Sequence, residues 1–495
     1  MSTATIRTLP RPALPWTHVS NVYVDGAWRD SASPRTDLVD PADEQVWGSA
    51  PDCGAEEVDC AIVAGDRAFR DGPWPRLRAA ERAEVLLRMA DLVEQDSREM
   101  AWTISRENGS PLAETTGAAV NAASILRYFA TLAPLLDRED VRPFPLLAGR
   151  ESLVRRDPVG VCVLIAPWNF PVNLVVTKLA PALLAGCTVV VKPAPSTPLS
   201  IRFVVEAAAR AGVPAGVVNL VSGGGATGDA LVRHPLTAKV AFTGSTTVGR
   251  RIAAACGELL RPVTLELGGK SSALLLPDVD LDHLEQVLVR SCLRNTGQTC
   301  YISTRLLVPA ARYDEVVSRV AAHVAAAPLG DPFDERTVFG PLALRSQYDK
   351  VLGFLDSARA QGARVVTGGH AVDGPGFYVE PTVLADVTPS MDVAREEIFG
   401  PVLTMLSYDT LDEAVELANG TGFGLGGIVF SSDEEAAVAV AERMDTGSVG
   451  INFFASNHAA PFGGRHASGL GTEYGPEGLA AYLSLKSIHR TSARA

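Results

Sequence analysis

Apolar residues along the chain follow two spacings, one typical of helices and one typical of buried strands. In Ala79–Gln95 they recur every three or four positions with charged residues between them, which predicts an amphipathic helix. Residues 159–166 instead form a short continuous apolar run that ends at Pro167, which predicts a strand buried on both faces. Strand and helix signals then alternate as far as residue 266, and such alternation predicts a parallel sheet covered by helices. The further predicted helices are 178–185, 201–211, 228–233 and 248–256, and the further predicted strands are 188–191, 217–221, 239–242 and 261–265.

The alternation starts again near Gly268, which predicts a second α/β unit in series with the first. Its strand candidates are 274–276, 305–308, 363–367, 402–407, 427–430 and 448–451. The last apolar segment, 481–488, alternates weakly and is interpreted as an edge strand that could pair with another subunit. The pattern therefore predicts the α/β class.

The length and charge of the chain narrow the classes of protein that fit this pattern. At roughly 150 residues per domain, 495 residues suggest two or three domains. The chain carries 57 acidic and 44 basic side chains, a net charge of −13, which argues against a nucleic-acid-binding or polybasic membrane-binding face. No uninterrupted apolar run approaches the roughly 20 residues of a bilayer span. We therefore predict neither nucleic acid nor membrane as a partner.

The cysteines and the N-terminus indicate the compartment. Seven cysteines, an odd number without a Cys-x-x-Cys pair or Cys/His cluster, predict reduced thiols and no metal site. Reduced thiols favour a cytoplasmic location. Residues 1–16 contain three prolines and no apolar core of a signal peptide, so we expect a flexible N-terminal tail.

Two glycine-rich loops follow predicted strands. One is FTGSTTVG at residues 242–249, and the other is SGGGATG at residues 222–228. Small residues at the start of a helix let backbone N–H groups approach a pyrophosphate. Each loop is equally well explained as a tight connection between a strand and a helix.

Three further motifs carry side chains with catalytic potential. Cys300 follows a Gly-Gln turn in NTGQTC, where flexible backbone and nearby donors favour a reactive thiol, although a buried structural cysteine is the simpler reading. Glu266 closes an apolar strand in LELGGK, at the edge of a parallel sheet where ligands bind, or it caps the next element. Asn169 lies between two prolines in PWNFP, where a rigid amide can donate to an oxyanion, or the loop packs on the core.

These motifs occur together in a particular order. The order is PWNFP, KPA at residues 192–194, FTGSTTVG, LELGGK, GQTC, EEIFGPV at residues 396–402 and PFGGRHASGLGTEYG at residues 461–475. In this set the sequence resembles the NAD(P)-dependent aldehyde dehydrogenase superfamily, from about Asn21 to Lys486. The resemblance implies oxidation of a small-molecule aldehyde to a carboxylic acid.

The resemblance also implies catalytic roles. Cys300 is the expected nucleophile, which forms a thiohemiacetal and then a thioester. Asn169, with the backbone N–H of Cys300, is expected to stabilise the oxyanion. Glu266 is the expected general base for thioester hydrolysis.

For the cofactor, the resemblance implies NAD, with NADP possible. Many relatives that prefer NAD carry a glutamate three residues after the lysine of the KPA motif, and here Pro195 stands at that position. We favour NAD because this loop has no additional arginine to hold a 2′-phosphate. The expected cofactor-binding residues are Ile165, Trp168, Lys192, Gly224, Gly244, Ser245, Leu267, Glu397 and Phe399.

Phe170, Arg294 and Phe462 are implied as substrate residues. An arginine at position 294 could hold the far carboxylate of an aldehyde such as succinate semialdehyde, because a guanidinium can bind a carboxylate through two hydrogen bonds. The alternative is that Arg294 turns away and pairs with an acid such as Asp278 or Asp280.

The implied architecture has two Rossmann-like α/β domains and a small β oligomerisation element. After the tail, residues 17–134 and 155–266 form the cofactor domain and residues 267–467 the catalytic domain. Residues 135–154 and 468–495 form the oligomerisation element of a homodimer or homotetramer.

Two other activities fit the sequence less well. A CoA-acylating dehydrogenase typically lacks the glutamate found at position 266, and a cysteine acyl hydrolase has no use for the nucleotide-site residues Lys192, Ser245 and Glu397.

Overall fold

Two large sheets, each covered by helices, contain most of the strands in the computed structural model, which describes residues 6–16 and 21–492. The strands are β1 (Asn21–Val24), β2 (Ala27–Asp30), β3 (Arg35–Val39), β4 (Val46–Pro51), β5 (Asp140–Pro143), β6 (Arg150–Pro158), β7 (Val161–Ile165), β8 (Thr188–Lys192), β9 (Val218–Leu220), β10 (Thr237–Thr243), β11 (Val263–Glu266), β12 (Ser272–Leu275), β13 (Arg305–Pro309), β14 (Arg364–Thr367), β15 (Thr382–Ala385), β16 (Val402–Tyr408), β17 (Phe423–Gly424), β18 (Gly426–Phe430), β19 (Ser448–Ile451), β20 (Arg465–His466), β21 (Gly469–Leu470) and β22 (Leu483–Thr491). The α-helices are α1 (Ala55–Arg70), α2 (Ala79–Gln95), α3 (Ser97–Asn108), α4 (Leu112–Thr115), α5 (Ala118–Ala130), α6 (Ala133–Asp137), α7 (Pro171–Ala185), α8 (Ser200–Arg210), α9 (Gly225–Arg233), α10 (Thr246–Glu258), α11 (Leu281–Leu288), α12 (Tyr313–Ala326), α13 (Arg345–Ala360), α14 (Asp392–Arg395), α15 (Leu411–Asn419), α16 (Glu434–Ala441) and α17 (Gly475–Ala480).

The first sheet has the strand order β2-β1-β9-β8-β7-β10-β11-β21. The five strands from β9 to β11 in this order are parallel, and β7 and β8 are buried along their whole length. The register aligns Ile165 with Lys192, and Thr243 with Glu266, at the carboxyl ends of their strands. The sheet therefore brings several of the predicted site residues to one edge.

The second sheet has the order β14-β15-β16-β13-β12-β18-β19 and is parallel except for β14. A third, three-stranded sheet pairs β22 with β6 and β6 with β5, all antiparallel. The predicted α/β class, with two α/β units and a small β element, is confirmed.

Two of the predicted divisions of the chain need correction. β21 and α17 fall within the predicted oligomerisation element, but β21 pairs with β11 of the first sheet and α17 packs against α7. β6 continues to Pro158, four residues beyond the predicted boundary, because it stays paired with β22 over its full length.

The predicted flexible tail is also partly wrong. Residues 1–5 lie outside the described residues, but the stretch 6–16 is anchored. The Arg11 guanidinium forms ion pairs with Asp40 at 2.7 Å and with Asp331 at 2.8 Å, and it lies over the ring of Phe333. Trp16 packs edge-on against Phe203. These contacts join the N-terminal segment to two distant parts of the chain.

One stretch, Leu112–Asp137, is apolar and long enough to cross a membrane by length and composition alone. It comprises α4, α5 and α6, and half of its most apolar window is buried inside the protein. Because α5 packs between α2 and α7, these helices contribute to the core, and they are weak evidence for a membrane span. Within the described residues, no group of three or more His, Cys, Asp or Glu side chains is placed to hold a metal ion.

Candidate active site

Cys300 lies in a turn whose backbone conformation depends on glycine. Asn295 and Gly297 have φ angles of 53° and 75°, in the left-handed region. A Cβ at position 297 would come within 1.9 Å of the carbonyl oxygen of Gly400, so no larger residue fits there. The Gly-Gln turn recognised in the sequence is therefore required to bring the thiol to its position.

The Cys300 thiol opens into a cleft of about 620 Å³. Burial, followed by the nearby carboxyl groups of Glu397 and Glu266, raises the pKa of Cys300 above its ordinary value. A thiol in this environment stays protonated until a base removes its proton. The site thus needs a base close to Cys300.

Asn169 borders the same cleft and is held from several sides. Its side-chain Nδ2 donates to the backbone oxygen of Gln298 at 2.9 Å. Its backbone oxygen accepts hydrogen bonds from the side-chain amides of Asn108 at 3.3 Å and Asn295 at 3.2 Å. These bonds tie the loop of Asn169 to the turn that carries Cys300, so the amide and the thiol keep a fixed relation.

Glu266 ends β11 and is only 3% exposed. Neither of its carboxylate oxygens has a hydrogen-bond partner among the described residues. Burial and the charge of Glu473 raise the pKa of Glu266 well above its ordinary value, and Lys178 opposes this shift. A carboxylate in such a site is a stronger base when it is deprotonated.

Most of the predicted cofactor residues line the cleft with Cys300. Glu397 accepts a hydrogen bond at Oε1 from the backbone N–H of Gly269 at 3.0 Å. The ring of Phe399 meets Trp168 edge to face, with centroids 5.4 Å apart. Ser245 caps α10 by accepting a hydrogen bond from the N–H of Val248. The complete lining is Pro167, Trp168, Asn169, Thr243, Gly244, Ser245, Leu267, Gly268, Cys300, Gln347, Lys350, Glu397 and Phe399.

Lys192, Ile165 and Gly224 do not line this cleft but lie beside it. Ile165 and Lys192 are paired at the ends of β7 and β8. Burial lowers the pKa of Lys192 to about 8, and the nearby carboxylate of Asp52 opposes this shift. Asp52 also accepts a hydrogen bond from the backbone N–H of Gly224 at 2.8 Å. The three residues therefore lie around the start of α9, next to the cleft.

Comparison with known proteins decides between the functional and the purely structural interpretations of these motifs. Residues 28–488 match the model of the aldehyde dehydrogenase family. The chain belongs to the aldehyde dehydrogenase family. Its predicted family and aldehyde-oxidising activity are thereby confirmed.

Three relatives of this aldehyde dehydrogenase show how close the likeness is. Geranial dehydrogenase from Castellaniella defragrans is 47% identical over 95% of this chain and 98% of its own length. The crystal structure of Mycobacterium tuberculosis aldehyde dehydrogenase complexed with NAD⁺ has a TM-score of 0.93 and 39% identity, over 96% and 98% of the two chains. Aldehyde dehydrogenase C from Pseudomonas syringae, in complex with NAD⁺ and octanal, has a TM-score of 0.91 and 38% identity, over 97% and 98%.

The structure shows the predicted substrate residue Arg294 bonded to two other side chains of this enzyme. The Nε of Arg294 donates to Glu114 Oε2 at 2.9 Å, and its Nη1 donates to the hydroxyl of Tyr301 at 2.6 Å. Its guanidinium is thus already paired, and the semialdehyde alternative is not supported. The alternative, that Arg294 pairs with an acid, is correct, but the acid is Glu114 and is neither Asp278 nor Asp280. Asp278 accepts hydrogen bonds from Ser431, Ser432 and Asp433, and Asp280 caps α11.

Phe170 and Phe462 belong to a group of aromatic rings beside the nucleophile. Arg294 lies over the Phe170 ring, 5.0 Å from its centroid. Tyr301, which directly follows Cys300, stacks on Phe454 at 4.9 Å and meets Phe462 edge-on at 6.3 Å. These rings, together with Arg294, form an aromatic surface that includes the residues next to Asn169 and Cys300 in sequence.

Five residues that line the cleft were not predicted as site residues. Pro167, Thr243 and Gly268 lie in the recognised motifs, whereas Gln347 and Lys350 lie on α13, outside all of them. Gln347 Nε2 donates to the backbone oxygens of Ile398 at 2.8 Å and Phe399 at 2.9 Å. Lys350 donates to the backbone oxygen of Glu397 at 2.8 Å. The sequence contained one indication of them: the two polar residues are three positions apart, which places them on the same face of a helix.

Proposed function

We propose that this enzyme oxidises an apolar aldehyde to the carboxylic acid with NAD⁺ as the oxidant. The observation that carries the proposal is that Cys300, Asn169 and the predicted nicotinamide-side residues Glu397 and Phe399 line one cleft. Membership of the aldehyde dehydrogenase family and the NAD⁺ complexes among its structural neighbours support the same reaction.

The first half of the reaction takes place at Cys300. Ionised Glu266 takes the proton of the thiol and passes it to solvent, and the sulfur attacks the aldehyde carbon to form a thiohemiacetal. The Nδ2 of Asn169 is the donor for the oxyanion that develops on the carbonyl oxygen. NAD⁺, when bound, supplies a hydride acceptor, and loss of the hydride leaves a thioester on the sulfur.

The second half of the reaction needs a base. Glu266, deprotonated, accepts a proton from a water molecule, whose oxygen attacks the thioester carbon. The carbon–sulfur bond breaks, the carboxylic acid leaves and the thiol is restored. Glu266 also favours hydrolysis over transfer of the acyl group to coenzyme A, because CoA-acylating dehydrogenases typically lack a glutamate at this position.

The residues around the cleft fit NAD⁺. Ser245 lies at the start of α10, where helix N–H groups favour a pyrophosphate, and Glu397 offers a carboxylate to ribose hydroxyls. Lys192 and Asp52 lie beside the cleft on the side of α9. A carboxylate at this point repels a 2′-phosphate, which supports the preference for NAD over NADP despite Pro195.

The aromatic surface beside Cys300 supports an apolar substrate. Phe170, Tyr301, Phe454 and Phe462 are in ring contact with one another or with Arg294, whose charge is paired. The curated relative that acts on geranial and the structural neighbour with bound octanal favour the same class of aldehyde.

The proposal is tested with geranial, octanal and butanal, each with NAD⁺ and with NADP⁺, by following reduced cofactor. We expect turnover with NAD⁺, and Cys300→Ala should lower kcat by more than about a thousandfold because it removes the nucleophile. NAD⁺ binding, measured by calorimetry, should persist in this variant. Cys60→Ala, which removes an exposed thiol, is the matched control and should keep full activity. Turnover by Cys300→Ala, or none by the wild type, would contradict the proposal.

We further propose a homodimer or homotetramer and a cytoplasmic location. β22 is a nine-residue strand at one edge of the three-stranded sheet, and unpaired edges are suited to association. Leu146 and Leu485, on the hairpin loop and the edge strand, are 95% and 72% exposed. The seven cysteine thiols are unpaired, which supports a reducing compartment.

A further inference from the structure

The ion pair between Arg294 and Glu114 adjoins the aromatic surface at Phe170 and Tyr301. One guanidinium contacts three partners: the Glu114 carboxylate at 2.9 Å, the Tyr301 hydroxyl at 2.6 Å and the face of Phe170. Glu114 and Tyr301 raise the pKa of Arg294 against the effect of burial, so the side chain is a permanent cation. Its charge is balanced by Glu114 alone, since Tyr301 and Phe170 are neutral.

This ion pair contacts the residues that follow Cys300 and Asn169 in sequence. Tyr301 directly follows the nucleophile Cys300, and Phe170 directly follows the oxyanion donor Asn169. Glu114 also lines a cavity of about 280 Å³ together with Asn169, Phe170 and Asn173. On the other side, Glu114 and Arg294 both line an outer cleft with Arg290 and His323. The pair therefore stands between the catalytic amide and a more basic outer cleft.

Removing the carboxylate would leave a cation without a counter-charge. Glu114 is the only acid among the residues lining either cavity, whereas the outer cleft holds Arg290 and His323 in addition to Arg294. The side chains of Arg294 and Glu114 are 29% and 23% exposed, so a ligand can approach them from solvent. An unpaired guanidinium here would attract a carboxylate.

We propose that Glu114 determines the specificity of this enzyme by occupying Arg294. With Glu114 in place, the far end of the substrate meets aromatic rings and a neutralised cation, and an aldehyde with a terminal carboxylate is repelled by Glu114 and finds no free partner. The proposal rests on the proposed function and names Glu114 as the residue that excludes carboxylated aldehydes from that site.

The test compares kcat/KM for succinate semialdehyde with kcat/KM for butanal, two aldehydes with the same number of carbon atoms. In Glu114→Gln and Glu114→Ala we expect the ratio of the two values to rise at least about tenfold over the wild type, the effect of one charge-assisted hydrogen bond. The increase in this ratio should become smaller as salt is added, because the charge of Arg294 is partly exposed to solvent. The double variant Glu114→Ala/Arg294→Leu should return the ratio to near the wild-type value.

Glu285→Gln is the matched control, since it breaks the ion pair between Glu285 and Arg319 at 2.7 Å on a different surface. A purely structural role for Glu114 would lower kcat/KM for both aldehydes alike and leave their ratio unchanged. A ratio within about twofold of the wild type in both Glu114 variants overturns the proposal. If Glu114→Gln is too unstable to assay, Glu114→Ala and the double variant decide the question. Failure of the wild type to oxidise butanal or any apolar aldehyde would instead overturn the proposed function.

Discussion

Charged side chains are buried near Glu266, the proposed general base, and they influence its protonation. Lys178 Nζ lies 2.6 Å from Glu473 Oε1 and 2.5 Å from Thr243 Oγ1, with both ionic groups buried. Burial and Glu473 raise the pKa of Glu266, and Lys178 lowers it. Because the base acts in its deprotonated form, turnover limited by thioester hydrolysis rises with pH through this raised pKa.

Glu473→Gln should move this rising limb to lower pH. Removal of the negative charge stabilises ionised Glu266, and Lys178, freed of its partner, does so further, so both effects lower the pKa of Glu266. The measurement is kcat against pH, with Glu477→Gln as a control for loss of an exposed carboxylate four residues away. A limb that stays in place or moves to higher pH would show that Glu473 does not act on the base.

Asp52 should contribute to the choice of cofactor. We expect Asp52→Asn to raise kcat/KM with NADP⁺ relative to NAD⁺ by roughly two- to fivefold, the size expected for a solvent-screened charge. Asp59→Asn serves as the control, because Asp59 is an exposed carboxylate on α1 that faces His234 instead. An unchanged ratio in Asp52→Asn would remove Asp52 from the cofactor site.

The sequence predicted the residues of the site more successfully than it predicted the side chains that contact them. Cys300, Asn169 and Glu397 stand in short motifs, and the structure brings them to one cleft. Glu114 stands in no such motif, and Glu473 stands in the motif at residues 461–475, where nothing local indicates its partner. They make their contacts with Arg294 and Lys178, which are 180 and 295 residues away in sequence. Such contacts depend on the packing of the whole fold, which local spacing does not reveal.

At the scale of elements, the regular alternation between residues 159 and 266 predicted strands and helices that the structure contains. α7 differs, since it begins at Pro171 and not at residue 178. Proline is favoured in the first turn of a helix, where its missing N–H is not needed, so the helix can begin at Pro171. β15 (Thr382–Ala385) was not predicted, although it is fully buried.

The start of α8 depends on a side chain from α3. Glu107 is fully buried and accepts hydrogen bonds from the N–H groups of Leu199 at 2.5 Å and Ser200 at 3.2 Å. Burial raises the pKa of Glu107 to about 8, while these hydrogen bonds lower it. The helix therefore receives its capping group from another helix and not from its own sequence.

Glu107→Ala should lower the free energy of unfolding by about 1–3 kcal/mol, because two buried N–H groups lose their acceptor. Urea denaturation measures the change, and Glu99→Ala, at a half-buried position of the same helix, is the control. If Glu107→Ala is no less stable than Glu99→Ala, the cap does not contribute to stability.

At the scale of the whole molecule, the three-stranded sheet presents apolar side chains that no other part of the described chain covers. We expect Leu485→Lys on β22 to weaken self-association, because a charge is costly to bury in an interface. Sedimentation at several protein concentrations measures the effect, and Leu260→Lys, at a site 93% exposed on another surface, is the control. Equal association by both variants would place the interface elsewhere.

The order of the domains was predictable from the repeated α/β pattern, but the paths of the two termini were not. β21 and α17 join the first sheet and its helices, although they follow the second unit in sequence. The segment 6–16 was expected to be free because it is rich in proline, yet Arg11 anchors it through acids that lie far along the chain. Composition describes a segment in isolation, and it contains no information about a distant partner.

The anchoring of Arg11 also constrains the order of events during synthesis. Asp331 follows Arg11 by 320 residues, so at 5–20 residues per second it is made roughly 16 to 64 s later. Asp40, by contrast, follows by only 29 residues and is available almost at once. Arg11 can therefore form one half of its ion-pair network early, but the other half must wait until two thirds of the polypeptide has been translated.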